Sequence, residues 1–169
     1  QQTASMFLGI GVSHGDRVCL FMPNCPEYLF CWFGLSILGA IGVPVNTAYK
    51  RDEMAFILND SEAKAMVAHQ SLATVAQEAA ILAPSVEHKL LVADVDGSAV
   101  DEQNISGGTG FSQALDQAAV LASRPEVAPD SVCMLVYTSG TTGNPKGVMV
   151  THKMYVAAGQ GFASWTRAK

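Results

Sequence analysis

Arg17-Val-Cys-Leu-Phe-Met22 is a compact apolar run, entered from Gly15-Asp16 and stopped by Pro23-Asn24, and it has the length and bounds of a buried strand. Pro26-Glu-Tyr-Leu-Phe-Cys-Trp-Phe-Gly-Leu-Ser-Ile-Leu38 follows it. A proline at the first helical position and a glycine just past Leu38 mark that segment as a helix, apolar nearly all round and therefore expected to be buried, Trp32 and Phe33 included. Ala40-Ile-Gly-Val-Pro-Val45 then reads as a second short strand ending at Asn46. A strand, a helix and a strand in this order form a crossover unit, which brings the chain back to the same end of the sheet and so pairs the strands in parallel.

The same alternation extends outward. Arg51 to Asn59 places Met54, Ile57 and Leu58 at helical spacing, and Ala65-Met-Val-Ala68 is the next strand. Leu72 to Leu82 reads as a helix stopped near Pro84, and Lys89-Leu-Leu-Val-Ala93 as a strand. Asp94 to Gly110 is polar and glycine-rich and predicts a surface loop, after which Phe111 to Leu121 returns to helix. The fold class is α/β, with alternating strands and helices and a mainly parallel sheet. No linker or internal repeat divides residues 1–169, which are expected to form part of one domain. The chain opens in apolar, helix-like sequence and ends in Trp165-Thr-Arg-Ala-Lys169 without a stop signal, so both ends are expected to be truncations.

Composition narrows the class. Hydrophobic residues make up 49% of the chain and charged residues 15%, which is the balance of a packed domain and not of a disordered one. Net charge is −5, with ten Lys and Arg forming no basic stripe, so no nucleic-acid partner is expected. Cys19, Cys25, Cys31 and Cys133 form no C-x-x-C pair and read as buried, reduced thiols, which suits a cytoplasmic enzyme. Tyr28 to Val45 carries no charge, but Gly39, Gly42 and Pro44 break it after Leu38 and leave the helix too short to span a bilayer. No transmembrane segment is expected.

The chemistry lies further on, where Ser131-Val-Cys-Met-Leu-Val-Tyr137 reads as a buried strand running into Thr138-Ser-Gly-Thr-Thr-Gly-Asn-Pro-Lys-Gly147. Gly140, Gly143 and Gly147 let the backbone approach a bulky anion and turn amide N–H groups toward it. Thr138, Ser139, Thr141 and Thr142 add hydroxyl donors, and Lys146 supplies a positive charge, with Pro145 stiffening the chain before it. This is not a Walker A loop, which has Gly before its Lys and Ser or Thr after it. Nor does a helix start at once: Val148-Met-Val150 is a further apolar run, and Thr151 is a credible N-cap for a helix from His152 to Trp165. The loop is therefore expected to join two strands, with less help from a helix dipole than a P-loop receives.

Tyr137-Thr-Ser-Gly-Thr-Thr-Gly-Asn-Pro-Lys-Gly147 resembles the signature loop of the adenylate-forming, AMP-binding superfamily, which includes acyl-CoA synthetases, peptide-synthetase adenylation domains and luciferases. Gly15-Asp-Arg-Val18, Pro23-Asn-Cys-Pro-Glu-Tyr28 and Leu38-Gly-Ala-Ile-Gly-Val-Pro-Val-Asn46 resemble its amino-terminal subdomain in order and spacing. Asn46 within Val43-Pro-Val-Asn-Thr47 is closer to the acyl-CoA synthetase branch than to the adenylation domains, where aspartate is usual. The resemblance implies an amino-terminal piece of an AMP-forming acid–thiol ligase. Such an enzyme joins a carboxylic acid to ATP as an acyl-adenylate and passes the acyl group to CoA. Thr138, Ser139, Gly140, Thr141, Thr142, Gly143 and Lys146 would hold the β- and γ-phosphates. The family's adenine, ribose and magnesium contacts and its carboxyl-terminal lysine would all lie beyond residue 169. The resemblance thus places no catalytic residue and no Mg2+ ligand within the chain, and no ligand is expected to bind it tightly. An alternative of another class is a non-catalytic nucleotide-binding or regulatory module that retains the loop.

Other candidates read blandly. His152 at a helix start suits a capping turn better than a catalytic base. His14, His69 and His88 lack partners at metal-ligand spacing and are expected at the surface. Ser106-Gly-Gly-Thr-Gly110, without a preceding strand or a following lysine, is expected to be a flexible connection.

Overall fold

The computed structural model describes residues 1–92, 107–138 and 144–166. Its framework is a sheet in the order β5-β4-β3-β1-β2-β6-β7. These strands are β1 (Arg17–Phe21), β2 (Ile41–Pro44), β3 (Ala65–His69), β4 (His88–Val92), β5 (Gly108–Gly110), β6 (Val132–Thr138) and β7 (Lys146–Thr151). Every neighbouring pair runs parallel except β6 with β7, which is antiparallel. The mainly parallel α/β expectation therefore holds, with one reversal at the edge that carries the candidate loop.

Strand periodicity divides the core in two. Cys19 and Phe21 of β1, with Met66 and Ala68 of β3, point to helices α3 (Arg51–Asp60) and α4 (Ala73–Ile81). Val18 and Leu20, with Ala65 and Val67, point to the other face, covered by α1 (Gln2–Gly9), α2 (Pro26–Leu38) and α5 (Phe111–Gln117). At the entry to the strands, the Arg17 guanidinium donates to the carbonyls of Gly15, Ser61 and Glu62, closing the turn between α3 and β3. The backbone N–H of Lys50 donates to the Glu53 carboxylate at 2.9 Å and sets the start of α3.

Several expectations need correction. Helix α2 has the predicted limits, but it is not buried all round: Cys31, Gly34, Leu35 and Leu38 face the core, while Phe33 is 58% exposed and Trp32 half-buried. A helix on the outside of a sheet buries the stripe that meets the strands, and hydrophobic composition does not extend that stripe. Gly108–Gly110 is a strand pairing with β4, although its composition predicted a loop; backbone ladder bonds suffice at a sheet edge. Residues 93–106 lie outside the described residues. Helix α5 stops at Gln117, and Ala118 turns extended, so that Ala118 and Leu121 still reach the α1 side of the core. A single 3-10 turn, Gln70–Leu72, precedes α4. His69 is buried, because it is the last residue of a strand flanked on both sides, and its Nδ1 accepts from the Ser71 backbone N–H. Cys25 is half-buried, whereas Cys19, Cys31 and Cys133 are buried, and all four are free thiols. Among the described residues, no helix is long and apolar enough to cross a membrane.

Helix α2 ends as its sequence requires. Gly39 adopts φ +69° and its N–H reaches the carbonyls of Leu35 and Ser36. A Cβ built there would lie 2.4 Å from His14 Cδ2. Gly39→Ala should therefore lower stability by about 1–3 kcal/mol through left-handed strain and this clash. In thermal melts, adding His14→Ala should recover only the clash part of the loss.

Candidate functional site

The β6–β7 hairpin brings the two ends of the candidate loop together. Thr138, the last residue of β6, is the direct cross-strand partner of Lys146, the first of β7, and both are exposed. Directly opposed residues in an antiparallel pair stand roughly 4.5–5.5 Å apart at Cα. The hydroxyl of one and the ammonium of the other thus flank the mouth of the connecting turn. Ser139, Gly140, Thr141, Thr142 and Gly143 lie outside the described residues. Lys146 forms no ion pair with a carboxylate among the described residues, so its charge is not neutralised within them. The strand before the loop was expected to be buried throughout; β6 is buried at Cys133 and Met134 and becomes exposed toward Thr138, because its outer neighbour is an edge strand.

Gly147 has a packing reason as well as a place in the loop. It pairs with Tyr137, and a Cβ built on it would lie 2.8 Å from Leu135 Cδ1. The absent side chain leaves room for Leu135 to lie across the hairpin. Tyr137 packs against the α3–α4 core, and its hydroxyl donates to Asp60 Oδ2 at 2.6 Å. Burial, and then the adjacent Asp60 carboxylate, pushes the Tyr137 phenol up, so it stays protonated as a donor. Asp60 is 77 positions away in sequence. No local signal in the chain points to it.

Helix α6 (His152–Thr166) follows β7 directly. Its first-turn donors are already used: His152 N–H bonds Ser131 O at 3.1 Å, Lys153 N–H bonds Pro129 O at 2.8 Å, and Met154 N–H bonds Thr151 Oγ1 at 3.2 Å. Thr151 is the N-cap predicted from sequence. With these amides satisfied inside the protein, the helix start offers little to an anion, which separates this hairpin from a strand–loop–helix phosphate site. His152 Nε2 is buried without a hydrogen-bond partner, and burial, with a smaller effect of His14, lowers its pKa. Among the described residues no group of three His, Cys, Asp or Glu side chains could hold a metal ion.

The family model described as AMP-binding enzyme matches residues 1–168. The chain belongs to this family. Among curated relatives, the crotonobetaine/carnitine–CoA ligase of Citrobacter koseri is 38% identical over 166 residues, and that of Escherichia coli O157:H7 is 36% identical over 165. Each match covers 97% of this chain and 31% of the relative, so the chain spans under a third of their length. Among solved structures, the anthranilate–CoA ligase AuaEII in complex with anthranoyl-AMP aligns with a TM-score of 0.83 at 30% identity, over 94% of this chain and 29% of that one. A long-chain-fatty-acid–CoA ligase from Archaeoglobus fulgidus aligns with a TM-score of 0.78 at 32% identity, over 96% and 30%. The N-terminal domain of FACL13 from Mycobacterium tuberculosis aligns with a TM-score of 0.71 at 30% identity, over 96% and 38%. The fold is that of the N-terminal domain of adenylate-forming enzymes, and the relatives named are CoA ligases.

The pH dependence of α6 follows from His152. Its folded pKa is lowered, so the folded state binds fewer protons than the unfolded chain. The contribution to stability is present above the ordinary imidazole value of 6.5 and is lost as pH falls through the lower folded pKa. Imidazole titration by NMR should give His152 a midpoint below 6.5, and His14→Ala should raise that midpoint slightly.

Proposed function

We propose that residues 1–169 form part of the AMP-binding domain of an ATP-dependent, AMP-forming acyl-CoA synthetase, and that they contribute its triphosphate-binding hairpin. The observation that carries this reading is the cross-strand pairing of Thr138 with Lys146 at the mouth of a glycine- and hydroxyl-rich turn. In the proposed reaction a carboxylate attacks the α-phosphate of ATP, giving an acyl-adenylate and pyrophosphate, and the acyl group then moves to the thiol of CoA. Thr138, Ser139, Gly140, Thr141, Thr142, Gly143 and Lys146 bind the β- and γ-phosphates. Their contribution is positioning and neutralisation of charge on the leaving pyrophosphate. No residue of the chain is assigned to the bond-making step. Mg2+ would screen the phosphates when bound, but the described residues supply no carboxylate cluster for it.

The CoA-ligase relatives and the anthranoyl-AMP complex of a structural neighbour support this class of chemistry. The alternative of a non-catalytic regulatory module draws no support from the relatives named above. The carboxylic acid substrate is not specified by these residues, and a cytoplasmic setting is suggested by the free thiols.

Two measurements test the reading. The 169-residue chain should bind ATP weakly, on the order of millimolar, because a phosphate grip alone leaves most of the nucleotide exposed. Lys146→Ala should weaken that binding by about tenfold or more, as expected for loss of a charge-assisted contact. Calorimetry showing submicromolar affinity, or equal affinity in the Lys146→Ala protein, would contradict it. Carboxylate-dependent exchange of pyrophosphate into ATP should also be undetectable with this chain. Its detection would place the catalytic groups within residues 1–169 after all.

A further inference from the structure

We infer that Tyr137 and Asp60 act together as positioning residues for the phosphate-binding hairpin, tethering its loop end to the body of the domain; this rests on the reading of the loop given above. The need for a tether follows from the way β6 joins the sheet. Alternate N–H groups of a strand point to opposite neighbours. On β2, the N–H groups of Ile41 and of Val45 just beyond it go to β1, to Asp16 O at 2.8 Å and Leu20 O at 3.1 Å. Positions 42 and 44 therefore face β6. Gly42 pairs with Met134 there, but at position 44 the residue is proline, which has no N–H to donate. Beyond Met134, among the described residues, β6 has no further register partner on β2. On its other side lies β7, an edge strand whose described pairing is with β6 alone.

The ladder that joins the loop-proximal half of the hairpin, Leu135 to Thr138 with Lys146 to Met149, to the body thus lacks the Pro44 donor, and side chains add to its hold. Leu135 and Tyr137 pack on the α3–α4 core, and apolar packing of this kind resists separation but not sliding. The 2.6 Å hydrogen bond from Tyr137 Oη to Asp60 Oδ2 is directional and charge-assisted, and it ends on the last residue of α3, an element fixed in the core by Met54, Ile57 and Leu58. Tyr137 immediately precedes Thr138 and stands opposite Gly147, the residue after Lys146. Fixing Tyr137 therefore fixes the point from which both phosphate-binding side chains project. Asp60 is exposed, so its role need not be a contribution to core stability.

The test uses the 169-residue protein with inorganic tripolyphosphate as the probe, titrated by NMR through the amides of Thr138 and Lys146. Tyr137→Phe and Asp60→Ala, each of which removes one partner of the bond, should each weaken binding by about fivefold, the factor carried by one net hydrogen bond. The double variant should be no weaker than either single one. Amide exchange should quicken at 136–138 and 146–148 but not in β1 or β3, and the melting temperature should fall by no more than a few degrees. Should Tyr137→Phe fail to fold, Asp60→Ala alone carries the test, because it removes the acceptor at an exposed site. If the wild type binds and Lys146→Ala abolishes binding, but neither tether variant changes affinity, the tether is overturned and the loop reading stands. Additive losses in the double variant, or faster exchange throughout the sheet, also overturn it by revealing general destabilisation. If the wild type shows no tripolyphosphate binding at Thr138 and Lys146, the loop reading fails and the tether's role falls with it.

Discussion

Val18 and Leu20 leave β1 toward one layer of helices, and Cys19 and Phe21 toward the other, because the crossovers that join parallel strands lay helices over both faces of the sheet. The rest of the molecule follows from covering those two faces. Helices α1, α2 and α5 lie over one and α3 and α4 over the other, and the crossovers between strands are long enough to carry them. Only at β7 does the chain abandon this arrangement and turn straight back on its neighbour, which the described pairing records as antiparallel. A short connection is possible only with that reversal, since a parallel return would need a crossover helix. The candidate loop lies between the two strands whose pairing changes direction.

Those parts of the fold set by local chemistry were legible. Pro26 and Gly39 bracketed α2 at both ends, Met54, Ile57 and Leu58 declared the buried stripe of α3, and Thr151 announced the start of α6. Features that depend on partners distant in sequence were not. Gly108–Gly110 has no composition that favours a strand, and it becomes one because β4 presents a free edge. Phe33 looks like core residue by type, but lies on the side of α2 away from the sheet. His69 looks polar and is buried because the last residue of a central strand has nowhere else to go.

The same division applies to the candidate site. Thr138 and Lys146 were readable from the loop, and their setting between two strands was readable from the apolar runs on either side. Asp60 was not, because its link to Tyr137 joins two segments of unrelated pattern. Ser131, Pro129 and Thr151 consume the first amides of α6, so on the reading proposed above the positive charge among the described residues at the hairpin mouth is that of Lys146.

Because Thr138 and Lys146 face each other across a two-stranded ribbon, the spacing between them is counted in whole residues and their orientation in odd or even steps. On the reading proposed above, a longer connection between them would change the size of anion that fits while leaving the pairing of Thr138 with Lys146 as it is. Deleting one residue from either strand is different in kind, since it transfers Lys146 or Thr138 to the opposite surface of the sheet.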